Sequence, residues 1–282
     1  MKFFARVPQF DFMAQRKVGL WVSSFLSIAA ILLVMFRGLN FGIDFTGGVL
    51  VEVNYPQSVE LDAVRHDLHQ GGYEKAVVQY VGGSSHVLIR LPPADKASTA
   101  GVGETIRGVL GGDAKGVKLQ RVEFVGPQVG EELTDQGAQA LLFAFIGIMI
   151  YIAFRFEWKF ALGAIAALIH DSLMVVGFLS LTWVEFDLTT VAAILALIGY
   201  SNNETIVIFD RIRENFRELR RENTFEVVNL SVNQTLLRSI ITHLTTLLVL
   251  SALYFLGGSS VHSFSVSLMV GVLLSLGSSS VV

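Results

Sequence analysis

The chain has 282 residues, 52% of them hydrophobic and only 16% charged, with a formal net charge of −3 and a mean hydropathy of +0.57. That leaves too little polar surface for a soluble globule of this length, so a bilayer is the expected solvent. Cysteine is absent, which excludes a disulfide framework, a thiol nucleophile and cysteine metal ligation.

Residues 18–36 form the first apolar run, after Lys2, Arg6, Arg16 and Lys17. At 1.5 Å per residue it reaches about 28 Å, enough for a hydrocarbon core of about 30 Å. With no small-residue cleavage site it is read as a retained transmembrane helix. Residues 37–136 follow as a separate domain. Val49, Val51, Val53 and Tyr55 alternate with more polar neighbours, as in a half-buried strand. Ser58 is the expected N-cap of a helix carrying Leu61, Val64 and Leu68 and ending at Gly71-Gly72. Strands at 76–80 and 86–91 flank a Gly82-Gly83-Ser84-Ser85 turn. Val102, Ile106, Val109 and Leu110 mark a second helix, and 117–125 a last strand. The order β-α-β-β-α-β is that of a ferredoxin-like sandwich.

Five more apolar runs occupy 137–154, 160–183, 188–209, 236–256 and 262–282, the last rich in serine and without a polar tail. The expected fold is therefore an α-helical polytopic membrane protein with six transmembrane helices and a small α+β domain between the first two. Residues 1–36 form a cytoplasmic N-terminus and first helix, and 137–282 a five-helix bundle with a basic cytoplasmic loop at 211–235. Arg155, Lys159, Arg211, Arg213, Arg217, Arg220 and Arg221 fall between spans two and three or four and five, whereas residues 184–187 and 257–260 carry no Lys or Arg. This bias places the N-terminus and both basic loops in the cytoplasm and residues 37–136 outside. Glu214, Glu218 and Glu222 interleave with the five arginines, so the loop reads as membrane anchoring with i, i+4 pairs and not as a nucleic-acid surface.

Tyr200-Ser201-Asn202-Asn203-Glu204-Thr205 is a polar cluster inside an apolar run. Ionisable groups at that depth are costly and mark function by default. Glu204 is the prime candidate, a carboxyl whose charge can change within the membrane. Asn203 is a weaker one, because helix-to-helix hydrogen bonding explains it equally well. His170 and Asp171 sit mid-span in the third run, as a relay toward the fourth helix or as a structural polar contact. His66 and His69 lack a third metal ligand. Gly42, Gly47 and Gly48 lack the Gly-Lys-Ser/Thr of a phosphate loop and read as a sharp turn from helix to strand.

Phe41-Gly42-Ile43-Asp44-Phe45-Thr46-Gly47-Gly48, Val125-Gly126-Pro127-Gln128-Val129-Gly130-Glu131-Glu132-Leu133, Gly199-Tyr200-Ser201 and Phe209-Asp210-Arg211-Ile212-Arg213-Glu214-Asn215 stand in this order. Together they resemble the motifs of the SecF family of bacterial protein-export subunits, within the resistance-nodulation-division superfamily, over nearly the whole chain. The resemblance implies a multi-pass inner-membrane protein partnered by SecD, the SecYEG channel, membrane lipid and a translocating preprotein. It also implies no cofactor beyond a coupling ion, H⁺ or Na⁺, and use of the proton gradient for late translocation steps. Glu204 stands where the family usually has Asp, and Asn202 where an apolar residue is common. The segment bearing Arg238 resembles one with a functionally important arginine, which makes a Glu204–Arg238 contact the expected switch. The family's short tail implies that the chain continues beyond Val282. Competing readings are a stand-alone exporter of small hydrophobic molecules, a passive scaffold for SecD, and an intramembrane protease, which would need Asp171 and Asp210 at one depth.

Overall fold

The computed structural model describes residues 10–93, 99–155, 158–219 and 222–281. Lys2, Arg6, Arg220, Arg221 and Val282, used above, lie outside the described residues. Helix α1, Phe12–Arg37, starts earlier than its apolar run because the Asp11 carboxylate caps it, accepting from Ala14 N at 2.9 Å. Trp21, Phe25 and Phe36 lie exposed on its surface, as expected of a lipid-facing helix.

Strand β1, Asn40–Phe41, pairs in parallel with β6, Glu185–Phe186, which lies in the short connection between two membrane helices. The sequence offers no warning of this ribbon, since two-residue strands carry no periodicity. A single helical turn, α2 (Ile43–Thr46), leads through Gly47 and Gly48 into β2, Gly48–Asn54.

The domain then runs α3 (Leu61–Gln70), β3 (Val77–Tyr80), β4 (His86–Leu91), α4 (Thr99–Val109) and β5 (Lys118–Val125), with sheet order β3-β4-β2-β5 and every pairing antiparallel. This is the expected ferredoxin-like arrangement. Val49, Val51, Val53, Val87 and Ile89 pack with Val64, Leu68, Ile106 and Leu110 in its core. Two expectations are corrected. Ser58 is not the cap of α3, which starts after Glu60 without a side-chain cap. Strand β2 is also not half-buried. Leu50 packs with Leu88 and Ile43, and Glu52 accepts from Ser259 Oγ at 2.7 Å, because the second face of the sheet rests on the membrane bundle.

Helix α5, Pro127–Arg155, is continuous across the boundary drawn at residue 136, and Gly130 in its second turn packs against the backbone of Phe45 and Gly47. The domain is thereby seated on a rigid helix and not on a linker. Helices α6 (Trp158–Thr182), α7 (Leu188–Glu218), α8 (Thr224–Leu256) and α9 (His262–Val281) complete the bundle. Among the described residues six helices are long and apolar enough to cross a membrane. The 31 residues of α7 and 33 of α8 reach about 46 and 50 Å. The segment expected as a loop at 211–235 is therefore mostly helix, with α7 running to Glu218 and α8 starting at Thr224. Helix α7 is central, packed against α6, α8 and α9.

Candidate functional site

Helical periodicity decides which of the polar residues on α7 face the bundle. Ser201, Glu204, Thr205, Ile208, Ile212 and Asn215 are buried at the i, i+3, i+4, i+7 spacing of one stripe. Asn203, about 100° away from Glu204 on the helix, is exposed, and Asn202 is half-buried.

Glu204 is 8% exposed. Its Oε2 lies 3.1 Å from Nε2 of His243 on α8, at ion-pair distance, and neither Oε1 nor Oε2 has a hydrogen-bond partner among the described residues. His243 is 2% exposed; its Nδ1 lies 2.7 Å from the Ser239 carbonyl oxygen and its Nε2 3.1 Å from Ser275 Oγ on α9. The Tyr200 ring meets the imidazole edge-on at 5.2 Å between centroids. A carbonyl oxygen only accepts, so Nδ1 carries a proton. Nε2 then meets the Glu204 carboxyl either with one further proton between the two groups, which is attractive, or as lone pair against carboxylate, which is repulsive. Nε2 is shared with Ser275 Oγ, and a proton placed between the imidazole and the carboxyl would be within reach of both.

Arg238 is exposed. It precedes His243 by five residues and so projects about 140° round α8, and the basic partner of Glu204 is His243, in correction of the expected Glu204–Arg238 contact. His243 was not singled out from the sequence. The available signal was a single histidine inside the 236–256 apolar run, four residues after Ser239.

Asp171 on α6 is fully buried, accepts from Ser201 Oγ at 2.7 Å and lies 3.1 Å from Nδ1 of its neighbour His170. It joins α6 to the same stripe of α7, about 4.5 Å nearer the domain than Glu204 by helical rise. Asp210 is instead within 3.3 Å of Arg155 at the far end of the bundle. About 13.5 Å of helix separates the levels of Ser201 and Asp210, so the two aspartates do not share a catalytic water.

The glycine-rich motif sits elsewhere, where the domain meets the bundle. Asp44 Oδ2 accepts from Leu188 N at 2.9 Å, helping cap α7 beside Asp187, whose carboxylate accepts from Thr190 N at 2.7 Å. Gly42 N donates to Phe186 O at 2.8 Å. Gly47 and Gly48 take φ of 67° and 129°, and a Cβ on Gly48 would stand 2.3 Å from Leu91 O, so glycine is required there on both counts. Arg90 on β4 donates to Phe41 O and Asn40 Oδ1 and lies 3.6 Å from Glu185 Oε1. Gln79 Nε2 donates to Glu185 Oε2 at 3.1 Å. Burial pushes the Glu185 carboxyl up to about 7, although Arg90 pulls the other way; Asp187 and Asp44 add to the rise. His66, on α3, pairs with Gln70 at 2.9 Å. Among the described residues no cluster of three or more His, Cys, Asp or Glu is placed to hold a metal.

Residues 109–282 match the family model of the protein export membrane protein SecD/SecF, C-terminal, and residues 33–59 match the SecD/SecF GG motif. The chain belongs to the SecD/SecF protein-export family. It is 48% identical over 268 residues to protein translocase subunit SecF of Pseudomonas aeruginosa, covering 95% of this chain and 87% of that one. It is 43% identical to protein translocase subunit SecF of Haemophilus influenzae, covering 94% and 81%. The crystal structure of SecDF, a translocon-associated membrane protein from Thermus thermophilus, superposes with a TM-score of 0.88 at 37% identity, covering 97% of this chain and 38% of that longer one. SecDF in a super-membrane-facing form superposes with a TM-score of 0.71 at 36% identity, covering 98% and 38%. Membership of the SecD/SecF family does not favour a stand-alone small-molecule exporter.

Proposed function

We propose that this chain is the SecF-type subunit of a bacterial inner-membrane export complex, partnered by SecD and acting on preproteins emerging from a SecYEG channel. Its N-terminus is cytoplasmic and its α+β domain periplasmic, in keeping with the Lys and Arg placement. Proton movement through the Glu204–His243 pair drives its work. The observation carrying it is a carboxyl and an imidazole buried together at membrane depth, 3.1 Å apart, close enough to share a proton. An imidazole nitrogen is a proton acceptor and a poor ligand for a hard cation, which favours H⁺ over Na⁺.

Loss of the shared proton leaves a carboxylate against a lone pair in a medium where repulsion is strong, and α8 is driven away from α7. The motion has two mechanical outlets. The side chains of Asn229 and Asn233 on α8 grip the backbone at Phe10, Phe12 and Met13, with contacts of 2.8 to 3.3 Å, so α8 is tied to α1. Asp44 ties the other end of α7 to the domain. One charge moved through 100 mV supplies about 2.3 kcal/mol, enough to bias such a rearrangement.

The test is release of an exported protein from spheroplasts, with and without a proton gradient, for wild type, Glu204→Gln and His243→Gln at equal assembly with SecD. Both variants are expected to lose only the gradient-dependent part of release. Unaltered gradient dependence in both would refute the proton site.

A further inference from the structure

The inward face of α9 carries Ser263, Ser267, Gly271, Ser275 and Ser278, one position per turn. These serines are at most 8% exposed. The row begins at a cleft of about 680 Å³ between the sheet and the bundle, where His262 and Ser263 of α9 face Leu188 and Thr189 of α7. One turn deeper, Ser267 is 1% exposed and its Oγ has no hydrogen-bond partner among the described residues. An unsatisfied hydroxyl at membrane depth calls for water or another polar partner. At the other end, Ser275 Oγ reaches His243 Nε2. The eight-residue step from Ser267 to Ser275 spans about 12 Å, and apolar side chains fill that interval. Leu197 of α7 lies on the backbone of Gly271, where a Cβ would stand 2.5 Å from Leu197 Cδ2, within an apolar layer that includes Ile194, Ile198, Leu268 and Val272.

We propose that this row is the route by which water and protons reach the Glu204–His243 pair from the domain side, and that Leu197 seated on Gly271 is its closed gate. The proposal rests on the proton-site reading above. The cleft and the orphan hydroxyl of Ser267 form a vestibule that admits water. The Leu197 layer excludes it, as apolar constrictions do by dewetting. Ser275 belongs to the far chamber, already joined to the imidazole. Because glycine leaves no side chain at 271, Leu197 fills the whole width of the passage. A shift of α7 along α9 by about one side-chain width would unseat it, and Glu204 lies on the helix that has to move. Access and protonation are thereby linked.

The cysteine-free chain permits a test that does not depend on transport activity. Ser267→Cys and Ser275→Cys are made singly, and the chain, in sealed membranes with its native partners, is exposed to Ag⁺ on the face carrying the α+β domain. Reaction is read as protection of the thiol from maleimide labelling after denaturation. Ser267→Cys is expected to react at least about tenfold faster than Ser275→Cys, and Leu197→Ala to bring Ser275→Cys close to the Ser267→Cys rate. Should Leu197→Ala fail to accumulate, Leu197→Val makes the same comparison with a smaller cavity. Equal reactivity of the two thiols beneath an intact Leu197, or no gain on truncating Leu197 in folded protein, overturns the gate. The two proposals fail separately. Correct accessibility with gradient dependence unaltered by both Glu204→Gln and His243→Gln would retain the route and refute the proton site, and the reverse pattern would do the opposite.

Discussion

Glu185 links the domain to the bundle, and its charge state should govern how tightly they are joined. Its side chain is 10% exposed, and burial, opposed by Arg90 and Gln79 and reinforced by Asp187 and Asp44, lifts the carboxyl from 4.5 to about 7. A carboxyl with a higher pKa in the closed junction than in the opened one holds its proton more tightly when closed. The closed state is therefore fully favoured below about pH 4.5 and loses stability as pH rises toward about 7, the reverse of an ordinary salt-bridged carboxylate. Between pH 5 and 8 the loss is about 2.5 kcal/mol, or about 70-fold in the opening equilibrium. Glu185→Gln keeps an oxygen for the Gln79 amide to donate to and removes the titration. Hydrogen exchange followed by mass spectrometry on peptides covering 38–47 and 183–188, expressed as protection factors with α3 as the internal control, measures the opening. Wild type is expected to lose protection across this pH range and Glu185→Gln to lose less than a tenth as much. Parallel loss in both proteins, or no loss in wild type, would refute the argument.

Gly48→Ala, forced to φ of 129° with its Cβ 2.3 Å from Leu91 O, should cost about 2–4 kcal/mol and visibly lower the thermal midpoint in detergent. Gly72→Ala, also at positive φ but in open space, should cost only about 1 kcal/mol and serves as the control. Asn233→Ala removes the amide that donates to Phe10 O at 2.8 Å and the oxygen that accepts from Phe10 N at 2.9 Å. At about 1 kcal/mol for each bond, limited proteolysis near residues 10–13 should accelerate about tenfold or more, while the melting of the bundle stays near that of wild type.

Much of this molecule follows from local pattern, since hydropathy and strand or helix period are properties of neighbouring residues. The six long apolar helices, the β-α-β-β-α-β order and the depth of Glu204 were all legible in that way, as was the glycine requirement at the turn into β2. What neighbouring residues cannot report is which side chains of separate elements meet. The burial of both faces of β2, the two-residue ribbon of β1 with β6, and the duty of Asp44 as a cap on a helix some 140 positions away all depend on the domain being seated on the bundle. The continuation of α7 and α8 through the supposed basic loop reflects helix-to-helix packing, which overrides a charge-rich composition that also suits a solvated helix end. The partner of Glu204 is the clearest case. Arg238 carries the permanent charge and the suggestive position, yet about 140° of helical rotation separates its direction from that of His243. Sequence alone determined that a carboxyl stands within the membrane; only the rotation and crossing of α7, α8 and α9 decided that an imidazole, and not a guanidinium, stands against it.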